Sequence, residues 1–332
     1  MNQESRAIFP SGGTSLRKCG VWGCGASGIT IAYTLAQTGW FDDMILMDPQ
    51  YRIAEAEASD LSHGLPFHIP MDIYAGDFAD LSDCGLIILA EDVHTAAIRD
   101  PRESLRRKTQ LLRSVIGNIK LYNRDALLLC VTEPVESLTA MIRQMSEIPA
   151  SRVIGSGTVT DTARLKQMLG RYLGVDSRNV HAFIVGEHGR EEFPIWSSAN
   201  ISGIDLHRYC DSQGKSYDSA MLNGLFDDVL ESRKQVLQAK GSGYYALASA
   251  VKRIVSAIVH DENTILTVCT EIEGQYGLEN VCMSLPSVLG RRGIRRVLEI
   301  PLSDEEEARL RRSARMLQER FAQTEDLLFQ PT

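Results

Sequence analysis

The chain has 332 residues, which is long enough for two domains with sizeable cores. Its residues are 44% hydrophobic and 23% charged, as is ordinary for a globular protein. A formal net charge of −8 argues against a nucleic-acid-binding protein, which would carry a basic stripe. The sequence has no apolar run of about 18 residues and no apolar leader behind a basic stretch, so neither a membrane span nor a secretory signal is expected.

Seven cysteines are spread along the chain without a Cys-x-x-Cys pair. Several lie in apolar runs, which is typical of reduced thiols in a core and favours a cytoplasmic protein. His, Cys and carboxylate residues do not cluster at the spacing of metal ligands, so no metal site is expected.

Taken in chain order, residues 1–16 are polar, contain Pro10, Gly12 and Gly13, and are predicted to form a flexible arm. Short apolar runs then alternate with helical segments, a pattern that predicts an α/β fold with a parallel sheet covered on both faces. In this part the pattern predicts strands at 18–22, 44–47, 86–90, 127–131 and 153–155, and helices at 28–37, 53–63 and 101–118. The later part is more mixed, with strands predicted at 182–185, 265–270 and 281–285, and helices at 218–239, 242–261 and 304–323.

The first strand is followed by a G-x-G-x-x-G motif from Gly23 to Gly28 that opens the next helix. Such glycines let the backbone approach a pyrophosphate at a helix N-terminus. Asp48, at the end of the second strand, can accept hydrogen bonds from a ribose 2′-hydroxyl and would repel a 2′-phosphate. We therefore predict a Rossmann-type, doubly wound sheet that binds NAD rather than NADP, although Asp48 could instead only cap a turn before Pro49. The expected cofactor contacts are Gly23, Gly25, Ala26, Ser27, Gly28, Asp48, Ala90 and Val131.

A second group of residues carries acid–base character. The apolar run 182–185 breaks at Gly186 and presents His188 beside Gly189, where a histidine would face a cleft and titrate near neutral pH. Asp161 and Arg164 are three residues apart, on one face of a predicted helix start. A histidine, an acid that orients it and an arginine that grips a carboxylate are what reduction of a 2-keto acid requires. The plainer alternatives are that Asp161 is a helix N-cap and that Arg164 forms a surface salt bridge.

These segments resemble the L-lactate/malate dehydrogenase family of NAD-dependent L-2-hydroxy acid dehydrogenases. The resemblance runs in order from about residue 18 to about residue 317, and its motifs are the glycine loop, DLSHG at 60–64, GSGTVTDTAR at 155–164, VGEHG at 185–189, FPIWS at 193–197, KGSGYYA at 240–246 and LPSVLG at 285–290. It implies that His188 exchanges the proton, Asp161 orients it and Arg164 binds the substrate carboxylate. It also implies an NAD-binding Rossmann domain at 17–156, a mixed α+β substrate domain at 157–332, and a homo-oligomer, dimer or tetramer, assembled through helices at 155–180 and 242–261.

The chain departs from the family at Glu91, in the loop 92–101, at Glu133 and at Arg190, which makes it an atypical member. The family's loop arginine, which polarises the substrate carbonyl, is assigned to Arg99, with Arg102 as the alternative. Glu133 stands where the family has an asparagine that donates a hydrogen bond to the substrate oxygen, and an ionised carboxylate cannot donate. Glu133 could be neutral through burial, could accept a hydrogen bond from an unusual substrate, or could make the enzyme slow on ordinary keto acids.

Pocket size and loop chemistry both bear on the substrate. Gly243 replaces a larger residue of lactate-specific relatives, which favours a substrate side chain larger than that of lactate. Loop positions His94, Thr95 and Ala96 lack the arginine that selects malate. The resemblance thus predicts interconversion of a 2-keto acid and an L-2-hydroxy acid; the alternatives are an imine-reducing enzyme and an NAD-binding homologue with altered catalysis.

Overall fold

The computed structural model describes residues 15–91 and 101–329, apart from the side chains of residues 101, 102 and 324–329. Its first part contains the strands β1 (Ser15–Trp22), β2 (Asp43–Met47), β3 (Asp72–Ala75), β4 (Cys84–Leu89), β5 (Leu127–Cys130) and β6 (Val153–Gly155). They are parallel and lie in the order β3-β2-β1-β4-β5-β6. This is the order of a doubly wound dinucleotide-binding sheet, with its switch point between β1 and β4. The predicted fold class is confirmed.

Helices cover both faces of this sheet. They are α1 (Ala26–Ala36), α2 (Tyr51–Gly64), α3 (Pro101–Tyr122) and α4 (Val135–Ser146). Ile31 and Leu35 of α1 belong to one apolar cluster, while Leu112 of α3 and Leu138 of α4 belong to another. The strands between them are apolar on both sides, and every residue of β4 is buried.

The later part is mainly antiparallel. Its elements are α5 (Val159–Leu173), β7 (Val180–Glu187), β8 (Glu191–Ile201), β9 (Ile204–Asp205), α6 (Leu206–Ser212), α7 (Ser219–Lys240), α8 (Tyr244–Val259), β10 (Thr264–Glu273), β11 (Glu279–Gly290), β12 (Gly293–Val297) and α9 (Asp304–Phe329). β6 pairs with β10 at Gly155 and Cys269, so one sheet continues through both parts. β7 lies between β8 and β11, which fixes the end of β7 that carries His188.

Several details differ from expectation. β1 begins at Ser15, inside the predicted arm, because Ser15 pairs with Cys84 of β4; residues 1–14 lie outside the described part. The sequence did not predict β8, whose apolar run is interrupted by Glu191, Glu192 and Pro194.

All seven cysteines are in the described part, buried and free of disulfides. None of the helices described is long and apolar enough to cross a membrane.

Candidate active site

The glycine loop between β1 and α1 can accept a dinucleotide. Gly23 has a φ of +98°, and a Cβ there would lie 2.8 Å from the Ala90 backbone. A Cβ on Gly28 would overlap the Gly23 carbonyl oxygen. No side chain caps the N-terminus of α1, where Gly25 takes the N-cap position ahead of Ala26. Because these glycines have no Cβ and no side chain caps the helix N-terminus, a pyrophosphate could approach the free backbone N–H groups there. The residues present therefore suit the predicted cofactor.

Asp48 supports this loop from the end of β2. One carboxylate oxygen accepts a hydrogen bond from the Cys24 backbone N–H at 3.0 Å, and the other accepts from the Gln50 N–H at 2.8 Å. Asp48 does stabilise a local turn, as the plainer alternative proposed. Each oxygen can still accept a second hydrogen bond, so the half-buried carboxylate remains able to bind a ribose hydroxyl.

Ala90 and Val131 follow the neighbouring strands β4 and β5. The Ala90 N–H bonds to the Trp22 carbonyl at 2.8 Å, and the Val131 N–H bonds to the Leu89 carbonyl at 2.9 Å. These bonds place both residues at the same carboxyl edge of the sheet as the glycine loop, which is where doubly wound sheets bind ligands.

His188 and Asp161 form a close pair. His188 Nδ1 lies 2.5 Å from Asp161 Oδ2, and the Arg164 guanidinium donates to Asp161 Oδ1 at 2.9 Å. The alternative in which Asp161 is an N-cap is wrong, since α5 begins at Val159 after Thr158 and places Asp161 within the first turn. The surface salt-bridge alternative is wrong for Arg164 too: its side chain is only 17% exposed, and that of Asp161 is fully buried.

Electrostatics favour a charged pair. Burial opposes protonation of His188, but the Asp161 charge, together with hydrogen bonds to Asp161, Glu133 and Glu192, raises its pKa well above 6.5. Burial likewise opposes ionisation of Asp161. The charge and hydrogen bond of His188, followed by the charges of Arg164 and Arg233, outweigh that effect and lower the pKa of Asp161. Both shifts favour an imidazolium paired with a carboxylate.

Two buried acids that sequence reasoning missed hold the histidine turn. The His188 N–H donates to Glu136 Oε1 at 3.1 Å, and Ser284 Oγ donates to the same oxygen at 2.8 Å. The Gly189 N–H donates to Glu192 Oε2 at 2.9 Å, and that oxygen is also 3.6 Å from His188 Nδ1. Burial raises the pKa of Glu136, which is only 2% exposed. The ligand atoms of Asp161, His188 and Glu192 lie within 4.8 Å of one another, and these hydrogen bonds already engage all three.

Glu133 contacts the other ring nitrogen. Its Oε1 lies 3.3 Å from His188 Nε2, and its backbone carbonyl accepts a hydrogen bond from Lys108 Nζ at 2.6 Å. The side chain is 58% exposed, and the hydrogen bond with His188 lowers its pKa to about 2. The interpretation that burial keeps Glu133 neutral is therefore wrong. The other two interpretations, an unusual substrate and slow turnover of ordinary keto acids, stay open.

Arg233 of α7 is a further residue that sequence reasoning missed. One guanidinium nitrogen is 3.7 Å from Glu133 Oε2, and the side chain is 20% exposed. The guanidinium lies against Gly189, where a Cβ would overlap it. Arg233 precedes Val236 and Leu237 by three and four residues and shares their face of α7, but this spacing alone does not bring the helix to the site.

These side chains meet at a small cavity of about 80 Å³. Val131 and Glu133 follow the parallel strand β5, whereas Arg164, His188 and Arg233 come from the later part of the chain. Gly243 also lines it, at the N-cap position of α8, and a Cβ there would meet only Val236, at 3.6 Å.

The predicted loop arginine cannot be placed in this geometry. Arg99 lies outside the described residues, as do His94, Thr95 and Ala96. α3 begins at Pro101 as predicted, but the side chain of Arg102 is not among those described. The choice between Arg99 and Arg102 stays open.

The chain is similar to known proteins over most of its length. Residues 17–155 match the model of the lactate/malate dehydrogenase NAD-binding domain, and residues 158–328 match the model of the lactate/malate dehydrogenase α/β C-terminal domain. An L-lactate dehydrogenase of Acetivibrio thermocellus is 41% identical over 304 residues, covering 92% of this chain and 96% of that protein. Another, of Thermoanaerobacter sp., is 42% identical over 306 residues, covering 91% and 97%.

Solved structures give the same result. A lactate dehydrogenase enzyme from a Medee basin deep-sea metagenome library matches with a TM-score of 0.89 at 34% identity, covering 94% of this chain and 99% of that one. The minor L-lactate dehydrogenase of Enterococcus mundtii matches with a TM-score of 0.88 at 28% identity, covering 92% and 98%. The chain therefore belongs to the lactate/malate dehydrogenase family, whose N-terminal domain binds NAD.

Proposed function

We propose that this protein is an NAD-dependent dehydrogenase that interconverts a 2-keto acid and the corresponding L-2-hydroxy acid. The observation that carries the proposal is the buried constellation in which Asp161 holds His188 with one oxygen and Arg164 with the other. It lies at the carboxyl edge of a sheet whose glycine loop suits a dinucleotide.

In the proposed reduction, the glycine loop from Gly23 to Gly28 would hold NADH, which would supply the hydride. His188 donates the proton on Nε2 to the ketone oxygen as negative charge develops there. Asp161 holds Nδ1, which fixes the ring orientation and favours the imidazolium. Arg164 uses one terminal nitrogen for Asp161 and offers its remaining N–H groups to the substrate carboxylate. Oxidation of the hydroxy acid uses the same groups, with His188 accepting the proton.

We further propose that the substrate side chain is larger than the methyl group of lactate. The open space beside Gly243 supports this, because a Cβ would fit there in ordinary contact with Val236. The apolar surface of Val236 and Leu237 could contact an aliphatic or aromatic side chain.

One observation favours a second reaction. The ionised Glu133 beside His188 would stabilise a cationic iminium, so reduction of a C=N bond is the alternative. A family member with altered catalysis, which binds NAD without turning over keto acids, is the third candidate.

A substrate screen separates the three. Oxidation of NADH is followed with a series of 2-keto acids, from pyruvate to branched and aromatic ones, with and without ammonia or alkylamines. We expect turnover without amine, increasing from pyruvate to the larger keto acids. Turnover only with amine would identify an imine reductase. NADH binding without turnover of any keto acid would contradict the proposed activity.

The partners and setting follow as proposals. The ligand is a small 2-keto or 2-hydroxy acid, and the protein assembles as a dimer or tetramer. Seven buried, unpaired thiols support a reducing compartment such as the cytoplasm.

A further inference from the structure

Glu133 occupies the place that the proposed reaction needs. His188 Nδ1 is engaged by Asp161, so Nε2 is the nitrogen left to serve the substrate oxygen. A general acid must come within about 2.6–3.2 Å of the atom that it protonates. Glu133 Oε1 already lies 3.3 Å from Nε2, so substrate oxygen and carboxylate compete for the same N–H. Substrate can bind productively only if the Glu133 carboxylate moves.

Among the residues that the structure describes, Arg233 is the cation positioned to receive that carboxylate. It faces the second oxygen, Oε2, at 3.7 Å, and a shift of about 1 Å would give a charge-assisted hydrogen bond. Arg164 donates to Asp161 and offers its remaining N–H groups to the substrate carboxylate, and Lys108 already binds the Glu133 backbone carbonyl. Because Lys108 holds the backbone, the carboxylate can turn while the chain remains in place.

Arg233 lies close to the turn that carries His188. Its guanidinium packs against the backbone of Gly189, directly after His188, and its side chain is 20% exposed. An ionised carboxylate displaced into a partly dehydrated cleft is costly unless a cation pairs with it. A pre-positioned guanidinium lowers this cost without having to move.

We propose that Arg233 is a positioning residue for the keto-acid reduction: it draws the Glu133 carboxylate away from His188 when substrate enters. Glu133 thus competes with substrate in the free protein and becomes part of the pocket wall, paired with Arg233, in the complex. This inference rests on the proposed function, since it concerns substrate binding at the same His188.

A double-mutant cycle between the two residues tests it. Arg233→Gln leaves Glu133 on His188, so we expect KM for the best keto acid to rise about tenfold while kcat at saturation changes less than about threefold. Arg233→Lys should restore most of the lost affinity. In a Glu133→Gln background, which removes the competing charge, Arg233→Gln should have little further effect on KM. Lys234→Gln, on an exposed neighbour of α7, is the matched control.

A binding measurement gives a readout independent of turnover. Oxamate, an unreactive analogue of a 2-keto acid, is titrated into each protein–NADH complex while NADH fluorescence is followed. Its Kd should show the same pattern as KM, and thermal unfolding should be similar for all variants. Failure of oxamate to bind the wild-type complex would overturn the inference and the proposed function together.

Other outcomes separate the two proposals. Equal effects of Arg233→Gln in both backgrounds would overturn the inference while leaving the dehydrogenase activity intact. Selective loss of activity on 2-keto dicarboxylates, independent of residue 133, would show that Arg233 grips the substrate itself and would also overturn it. If the Arg233 and Glu133 substitutions have coupled effects on the Kd of oxamate but no keto acid is turned over, the inference on binding is upheld and the proposed function is contradicted.

Discussion

At the scale of single residues, Asp161 and Glu133, two of the carboxylates that raise the pKa of His188, lie in different surroundings. Asp161 is fully buried, so solvent screens its charge little, whereas the Glu133 side chain is 58% exposed. Asp161 should therefore provide most of the stabilisation of the imidazolium, and Glu133 a smaller part. This difference allows Glu133 to be changed without dismantling the pair.

Glu133→Gln should shift the pH dependence of reduction. Reduction needs protonated His188, so kcat/KM is high below the pKa of His188 in the folded protein and falls as pH rises through it. Glu133 is one of the groups that raise this pKa, so its removal should move the high-pH limb to lower pH. The pH profile of kcat/KM measures the shift, with Glu305→Gln on the surface of α9 as the control. An unchanged limb would mean that Glu133 does not act on His188.

Arg164→Lys tests the carboxylate grip. A lysine ammonium cannot form two parallel hydrogen bonds with a carboxylate, and it would also weaken the contact with Asp161. We expect KM for the keto acid to rise about tenfold or more and NADH affinity to stay unchanged. Arg171→Lys, on an exposed position of the same helix, is the control. Equal KM values for both variants would contradict the assignment of Arg164.

How well the sequence predicts a site residue depends on where its partners lie. Asp161 and Arg164 share one helical turn, and His188 lies within a short glycine-flanked motif, so local patterns were enough to find them. Glu136 is 52 residues from His188 along the chain, and Arg233 meets Glu133 only through the packing of α7. Contacts of this kind depend on tertiary packing, and a single sequence carries no direct signal of it.

At the scale of elements, the β1–α1 connection depends on backbone space. A Cβ on Gly28 would overlap the Gly23 carbonyl oxygen, so Gly28→Ala must displace either the loop or the start of α1. We expect the Kd for NADH to rise about tenfold or more, measured by fluorescence titration. Gly64→Ala is the control, because Gly64 has helical backbone angles and nothing within 4 Å of an added Cβ. Unchanged NADH affinity in Gly28→Ala would contradict the placement of the cofactor at this loop.

Elements whose apolar residues follow one simple pattern were predicted well from the sequence. The buried runs of β2, β4 and β5 and the start of α3 at Pro101 agree with expectation. The predicted helix at 304–323 is also present and begins with a capping box: Ser303 Oγ accepts from the Glu306 N–H at 3.3 Å, and Glu306 accepts from the Ser303 N–H at 2.8 Å. β8 was not predicted because polar residues interrupt its apolar pattern. One of them, Glu192, is buried and accepts a hydrogen bond from the Gly189 N–H.

At the scale of the whole molecule, one continuous sheet brings the glycine loop and the turn that carries His188 to the same region. The parallel strands end at the glycine loop and at Glu133, and the antiparallel strands fix the turn that carries His188. The cavity between them takes lining residues from both. The proposed cofactor-binding and acid–base residues therefore come together only when both parts of the chain are folded.

The protein should form a dimer or tetramer. The predicted contact helices are 155–180 and 242–261, but much of the apolar face of α8 packs on α1 within the chain. The surface left includes the exposed side chains of Tyr245 and Ile265, and a groove of about 770 Å³ lies between α5, α8 and β10. Covering this surface with a second copy would bury apolar area. Sedimentation velocity at micromolar concentration should show an oligomer, and a stable monomer would contradict this expectation.

The most direct test of the proposed chemistry is single-turnover oxidation of NADH by the best 2-keto acid, compared between wild type and His188→Gln. Glutamine keeps a hydrogen-bonding side chain but cannot supply the proton. We expect the wild-type protein to convert the keto acid to the L-2-hydroxy acid, and the variant to be about 10²–10⁴-fold slower with NADH affinity unchanged. A variant as fast as wild type would show that His188 is not the proton donor and would contradict the account.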